Sequence, residues 1–166
     1  MSQYLIQDMK KTKNCLEQKP GVECIIHSLG SDKKVAQRLA QMGVLPGVTL
    51  QIIRISPFGT TVEVSIDGAR SFAIRKDELT ALNCQVVATP LTGSDVKLHI
   101  TYRIRTLFGG RKFQQRMEAQ GIHSGLFIKI NNRTPPPIEL QLIDQNKIIK
   151  LGRGEAEKII IEATDA

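Results

Sequence analysis

Apolar and polar residues alternate along most of this chain, and a helical spacing interrupts the alternation twice. The stretches "VTLQIIRIS" (48–56), "TVEVSI" (61–66) and "ARSFAIR" (69–75) each place apolar side chains at every second position. A period of two predicts half-buried strands. "VECIIHS" (22–28) predicts an earlier strand, and "ALNCQVVA" (81–88) a last one. Between the first and second strands the period changes. Val35, Leu39 and Met42 fall at i, i+4 and i+7, one face of a helix near 33–42. Ser31 or Asp32 is placed to cap it.

The turns carry their own signals. Gly43 sits one residue past the helix, where the chain must turn left-handed. In "LPGV", Pro46 and Gly47 occupy the central positions of a type II turn, which needs a positive φ at the glycine. "PFGT" and the "DG" of Asp67-Gly68 close the strand connections that follow. "KDEL" (76–79) predicts a single helical turn before the last strand. Turn geometry accounts for the two glycines, so they are assigned to turns and not to phosphate binding.

The same plan occurs twice. Shifted by 78 positions, Lys34 meets Lys112, Gln37 meets Gln115 and Arg38 meets Arg116. Gly43 meets Gly121, Gly47 meets Gly125 and Pro57 meets Pro135. After the loss of one residue, "FAI" (72–74) meets "IKL" (149–151) and Glu78 meets Glu155. Apolar positions agree too: Leu39 with Met117, Val44 with Ile122, Leu50 with Ile128. The second copy predicts a strand in "VKLHITYRIR" (96–105), a helix near 111–120, then "LFIKINN", "IELQLI", "KIIKLG", the turn "GEAE" and a final "KIIIEA". Such a match is an internal duplication, and each copy is long enough for a small domain.

Five short strands with one early helix predict a mainly β fold: two tandem, strongly curved SH3-like barrels, each with a short α-helix after its first strand. The expected boundaries are an N-terminal extension (1–20), a first barrel (21–88), a linker (89–94) and a second barrel (95–164). Each barrel is expected to form its own sheet. Pro90 and Gly93 mark the linker, because each breaks regular structure.

Composition narrows the function. The chain of 166 residues is 41% hydrophobic and 23% charged, as in globular proteins. It has no run of about 18 apolar residues for a membrane span. The first residues lack the charge-then-apolar order of a secretory signal, so a cytoplasmic location is expected. Net charge is +7, divided as +3 over 1–88 (11 basic, 8 acidic) and +4 over 89–166 (12 basic, 8 acidic). That even spread lacks the basic stripe of a nucleic-acid binder. Five Phe and two Tyr are too few for base-stacking platforms in two barrels. His27, His99 and His123 stand in no nucleophile pattern, and no phosphate-binding loop is present, so no enzymatic activity is expected. Cys15, Cys24 and Cys84 are irregularly spaced and read as free thiols. Cys24 and His27 are three apart on a strand and point to opposite faces. No metal site, cofactor or catalytic residue is assigned.

The pattern of strand, Leu, polar loop, "RLAQMG", "LPG" and alternating strand, with "SFAIRKDEL" further on, resembles the FeoA family, ferrous iron transport protein A. The resemblance covers 22–88 well and 96–163 less closely. It implies a cytoplasmic, non-enzymatic accessory protein of ferrous iron uptake. The partner it implies is FeoB, a membrane transporter with a cytoplasmic GTP-binding domain. A metal-responsive regulatory or nucleic-acid-binding SH3-like module is the alternative. The candidate partner-binding residues are Met42, Leu45, Pro46, Phe58 and Arg75. Leu45 and Phe58 are apolar residues at turns, and exposed apolar residues near one another mark a contact patch. At the matching places the second copy has Gln120, His123, Ser124, Pro136 and Gly152. Oligomeric state is left open by the sequence.

Overall fold

The computed structural model describes residues 19–164. The expected extension falls outside them except for its last two positions, and Cys15 falls outside too. The chain divides into two compact units, Met1–Val87 and Ala88–Ala166.

The first unit contains β1 (Glu23–Ser28), α1 (Lys33–Gln41), β2 (Thr49–Ile55), β3 (Thr61–Ile66), β4 (Arg70–Arg75) and α2 (Lys76–Ala81), followed by β5 (Asn83–Pro90). The second contains β6 (Thr101–Leu107), α3 (Arg111–Ala119), β7 (Phe127–Asn132), β8 (Ile138–Leu142), β9 (Lys147–Leu151), α4 (Arg153–Ala156) and β10 (Ile159–Ala163). Neighbouring strands run β4-β3-β2-β1-β5 in the first unit and β10-β6-β7-β8-β9 in the second. This is the expected mainly β, SH3-like plan, with one helix after the first strand of each copy.

Each unit has its own core. Ile26, Leu39, Leu50, Ile52, Val64 and Leu79 are fully buried in the first. Ile104, Met117, Ile128, Ile130 and Leu140 hold the matching place in the second. Asp32 caps α1, its carboxylate accepting from the backbone N–H of Lys34 at 3.0 Å and Val35 at 3.3 Å. Gly43, Gly47, Gly121 and Gly125 have φ of 93°, 91°, 84° and 90°, the left-handed geometry their turns require.

The duplication extends to an irregularity. In β2, Ile52 pairs with Val64 and Arg54 with Glu63, so Ile53 is an extra residue. In β7, Ile130 pairs with Leu140 and Asn132 with Glu139, which makes Asn131 the extra one. The two bulges lie 78 positions apart (131 − 53), the repeat distance. A bulge bends and twists its strand, which curves a small sheet around its core. The strand pairing also refines the repeat. Leu50 pairs with Ile66 and Ile128 with Leu142, so the third strands are offset by 76 (142 − 66). The turn before β8 is two residues shorter than its counterpart. The next hairpin restores one, where the sequence showed only the net loss of one.

Three expectations are corrected. The stretch 89–94 is no free linker. Thr89 and Pro90 pair with Ile161 and Ile160 of β10, and Leu91 is fully buried in the second core. Thr89 and Pro90 thus belong with β10 in the second unit. A proline at a strand end removes one donor but leaves its carbonyl and its neighbours free to pair. The first strand of the second copy begins at Thr101, not Val96, because His99 adopts φ 62° and turns the chain. Among the cysteines, Cys24 is a buried thiol, whereas Cys84 is disulfide-bonded.

Candidate functional site

The five candidate residues fall into two groups at opposite ends of β2. Met42 is the C-cap of α1 and packs, half-buried, against the first core. Leu45 (47% exposed) and Pro46 follow in the turn closed by the Val48 N–H donating to the Leu45 carbonyl at 3.2 Å. Phe58 stands beyond the other end of β2, in a turn closed by Gly59 N–H to Ser56 O at 2.9 Å. Its side chain is 90% exposed. Arg75, at the end of β4, pairs with Thr61 and so shares the Phe58 end. The seven residues of β2 span about 20 Å between the two turns. Leu45 and Phe58 thus flank β2 at its two ends.

At the Phe58 end the strand pairing assembles an open groove of about 590 Å³, lined by Thr60, Thr61, Arg75, Lys76, Asp77 and Thr80. The Lys76 N–H donates to Thr60 O at 3.0 Å and ties the start of α2 to the Phe58 turn. The Thr80 hydroxyl is turned inward to the Lys76 carbonyl at 2.8 Å. Asp77 accepts from the Glu78 N–H at 3.0 Å. No ion pair holds Arg75 or Lys76 among the described residues.

Behind the groove lies a pair that the sequence reading did not single out. Glu78 is buried, at 5% exposure. It accepts from Arg38 Nε at 3.0 Å, forms an ion pair with the same guanidinium, and accepts from the Arg75 backbone N–H at 3.1 Å. The Arg38 hydrogen bond, more than any other contact, holds the Glu78 carboxyl below the usual range against the opposing effect of burial. The second copy repeats the arrangement more loosely. Arg116 Nε lies 3.5 Å from Glu155, which accepts from the Gly152 N–H at 3.3 Å. The recurring Arg and Glu of the two copies thus join α1 to α2, and α3 to α4. The signal for this was present as repeated letters, but nothing in the spacing showed that the two were partners.

Large apolar side chains exposed in the second copy lie elsewhere: Leu98 ahead of β6, Phe127 on β7 and Ile148 on β9. Cys24 and His27 do lie on opposite faces of β1, one buried and one exposed. Burial, with Glu23 nearby, pushes the Cys24 thiol up to about 12, so it stays protonated and is a poor metal ligand. His27 meets Gln85 at 3.3 Å. Among the described residues no group of three or more His, Cys, Asp or Glu is placed to hold a metal ion. No described helix is long and apolar enough to cross a membrane.

Two SH3-like units with an Arg–Glu pair behind each short second helix define a tandem-domain β protein built from one duplicated module. The FeoA domain family model matches residues 16–86 and again 94–163, and the chain belongs to the FeoA family. Among solved structures it is similar to iron(II) transport protein A from Clostridium thermocellum, at 30% identity over 92% of this chain and 88% of that one, with a TM-score of 0.43. An iron uptake regulatory protein (FeoA) matches at 27% over 45% of this chain and 97% of its own, TM-score 0.41. FeoA of Stenotrophomonas maltophilia, solved with zinc and described as an SH3 domain protein, matches at 19% over 44% and 89%, TM-score 0.38. No curated protein sequence matches the chain.

Proposed function

We propose that the chain is a non-enzymatic, cytoplasmic accessory factor of ferrous iron uptake, binding the cytoplasmic part of a FeoB-type transporter. Membership of the FeoA family supports the pathway. The observation that carries the contact is Phe58, an aromatic side chain 90% exposed at a turn that does not need it for folding. Aromatic residues are enriched at the anchoring points of interfaces. The first copy makes the main contact, and the second braces it or meets a different surface. Arg75 belongs to the same end as Phe58. Leu45 and Pro46, with Met42 at the end of α1, form a second point of contact.

Regulation by such a protein needs tighter binding to one state of the transporter than to another. The test is a titration of the whole chain against the transporter's soluble cytoplasmic domain, nucleotide-free and with GDP or GTP. Saturable binding that differs between nucleotide states is expected. Equal binding to all states would remove the regulatory mechanism, and no binding to any of them the contact itself. Binding of duplex DNA in its place would favour a regulatory module of the nucleic-acid-binding kind.

A further inference from the structure

The two copies differ in the residues that line the groove. From the strand pairing, Thr60 and Thr61 correspond to Pro136 and Pro137, Arg75 to Gly152, and Lys76 to Arg153. Continuing at the same offset, Asp77 becomes Gly154 and Thr80 becomes Glu157. The second copy keeps one cation, Arg153, and that cation is engaged: its Nε lies 3.6 Å from Glu157, one helical turn away. The first copy has two cations, and the position of Glu157 is filled by a threonine whose hydroxyl is turned inward. The charge count of the groove is +1, from Arg75 and Lys76 against Asp77. Backbone pairing, not ionic contacts, holds these two residues in place: Arg75 opposite Thr61, and the Lys76 N–H on Thr60 O. Neither charged end is held in an ion pair among the described residues, although the Arg75 charge also helps lower the Glu78 carboxyl behind the groove.

An apolar side chain completes the feature. Phe58 is two residues from Thr60 in the same turn, and a Cβ built on Gly59 would lie 3.9 Å from Lys76 Nζ. A small inorganic anion has no use for an exposed phenyl ring beside its site. A peptide bearing carboxylates next to an apolar residue uses both. We infer that the Thr60–Arg75–Lys76 groove of the first copy is the docking site for an acidic segment of the partner protein. Carboxylates of that segment lie on Arg75 and Lys76, and an apolar neighbour lies on Phe58. This inference rests on the functional reading above and deepens it by naming the chemistry of the segment bound.

The experiment is a titration of the full chain against the soluble cytoplasmic domain of the transporter at two salt concentrations. The double substitution Arg75→Gln with Lys76→Gln should weaken binding at least about tenfold in 50 mM salt. The difference should shrink to about threefold or less at 500 mM, because exposed charge pairs are screened. Arg153→Gln, at the matching place of the second copy, should leave affinity unchanged. Arg75→Gln alone, which keeps the backbone N–H bonded to Glu78, is the second variant should the double one melt early. Inorganic phosphate at matched ionic strength should compete no better than chloride, and specific displacement by phosphate would overturn the peptide assignment. Binding that ignores both groove substitutions overturns the groove and leaves the functional reading standing. Absence of binding by the unmodified chain overturns both.

Discussion

Glu78 shows how one side chain can fix the relation of two helices. Its carboxylate is buried and serves Arg38 of α1 and the N–H of Arg75 at the start of α2. Removing it leaves two part-buried donors without their acceptor, so Glu78→Ala should cost about 1–3 kcal/mol. Glu155 is more exposed and its arginine stands further off. Glu155→Ala should cost about 1 kcal/mol or less. Urea denaturation of the two variants checks the order, and a larger loss at Glu155 would contradict it. The lowered pKa of Glu78 also sets a pH dependence. Its contribution is fully present above the unfolded carboxyl pKa of about 4.3 and is lost as pH falls through the lower folded value. Glu78→Gln should therefore flatten the acid limb of stability below about pH 4. An unchanged limb in urea midpoints from pH 7 to pH 3 would show that this carboxylate is not responsible.

At the scale of elements, turns and strand periods were legible because each has a local cause. Gly43 and Gly47 and their counterparts occupy left-handed positions, and period-two runs became strands. Features that depend on distant partners were not legible. Proline and glycine marked 89–94 as a break, yet β10 and the second core claim Thr89, Pro90 and Leu91. The groove joins residues 60–61 to 75–80 only through the pairing of β3 with β4. Arg75 was named from sequence, while Thr60, Lys76 and Thr80 were not, since a polar residue in a turn carries no sign of what will face it.

Gly30 tests the packing of these elements. Its φ is 87°, and an added Cβ would lie 2.5 Å from the backbone oxygen of Ala81 at the end of α2. Gly43 has a similar φ of 93° with open space around it. Both alanine variants share the left-handed strain of about 1–2 kcal/mol. Gly30→Ala must also displace backbone, so it should melt at the lower temperature. The reverse order in thermal melts would show that the α2 end does not press on this turn.

At the scale of the molecule, the two units give a choice of where to divide the chain. A fragment beginning at Ala88 retains Thr89, Pro90 and Leu91, which belong to the second sheet and core. We propose that it folds as an independent unit. Beginning at Thr92 removes a fully buried leucine and two paired residues, and should cost about 2–5 kcal/mol. Equal stability of the two fragments by urea denaturation would restore the reading of 89–94 as a linker.

The duplication has left one module with an exposed aromatic on the turn that leads into a groove whose two cations no ion pair holds among the described residues, and the other with its cation paired. On this account the two copies are not interchangeable: the first reads the transporter. Ferrous iron uptake, measured in cells that express the FeoB-type transporter with and without this chain, tests that most directly. Uptake should fall when the chain is absent, with transporter abundance unchanged. The unmodified chain should restore it, as should the Arg153→Gln chain, while Phe58→Ala with Arg75→Gln should not. Uptake that is indifferent to the chain, or restored equally by all three, would contradict the account.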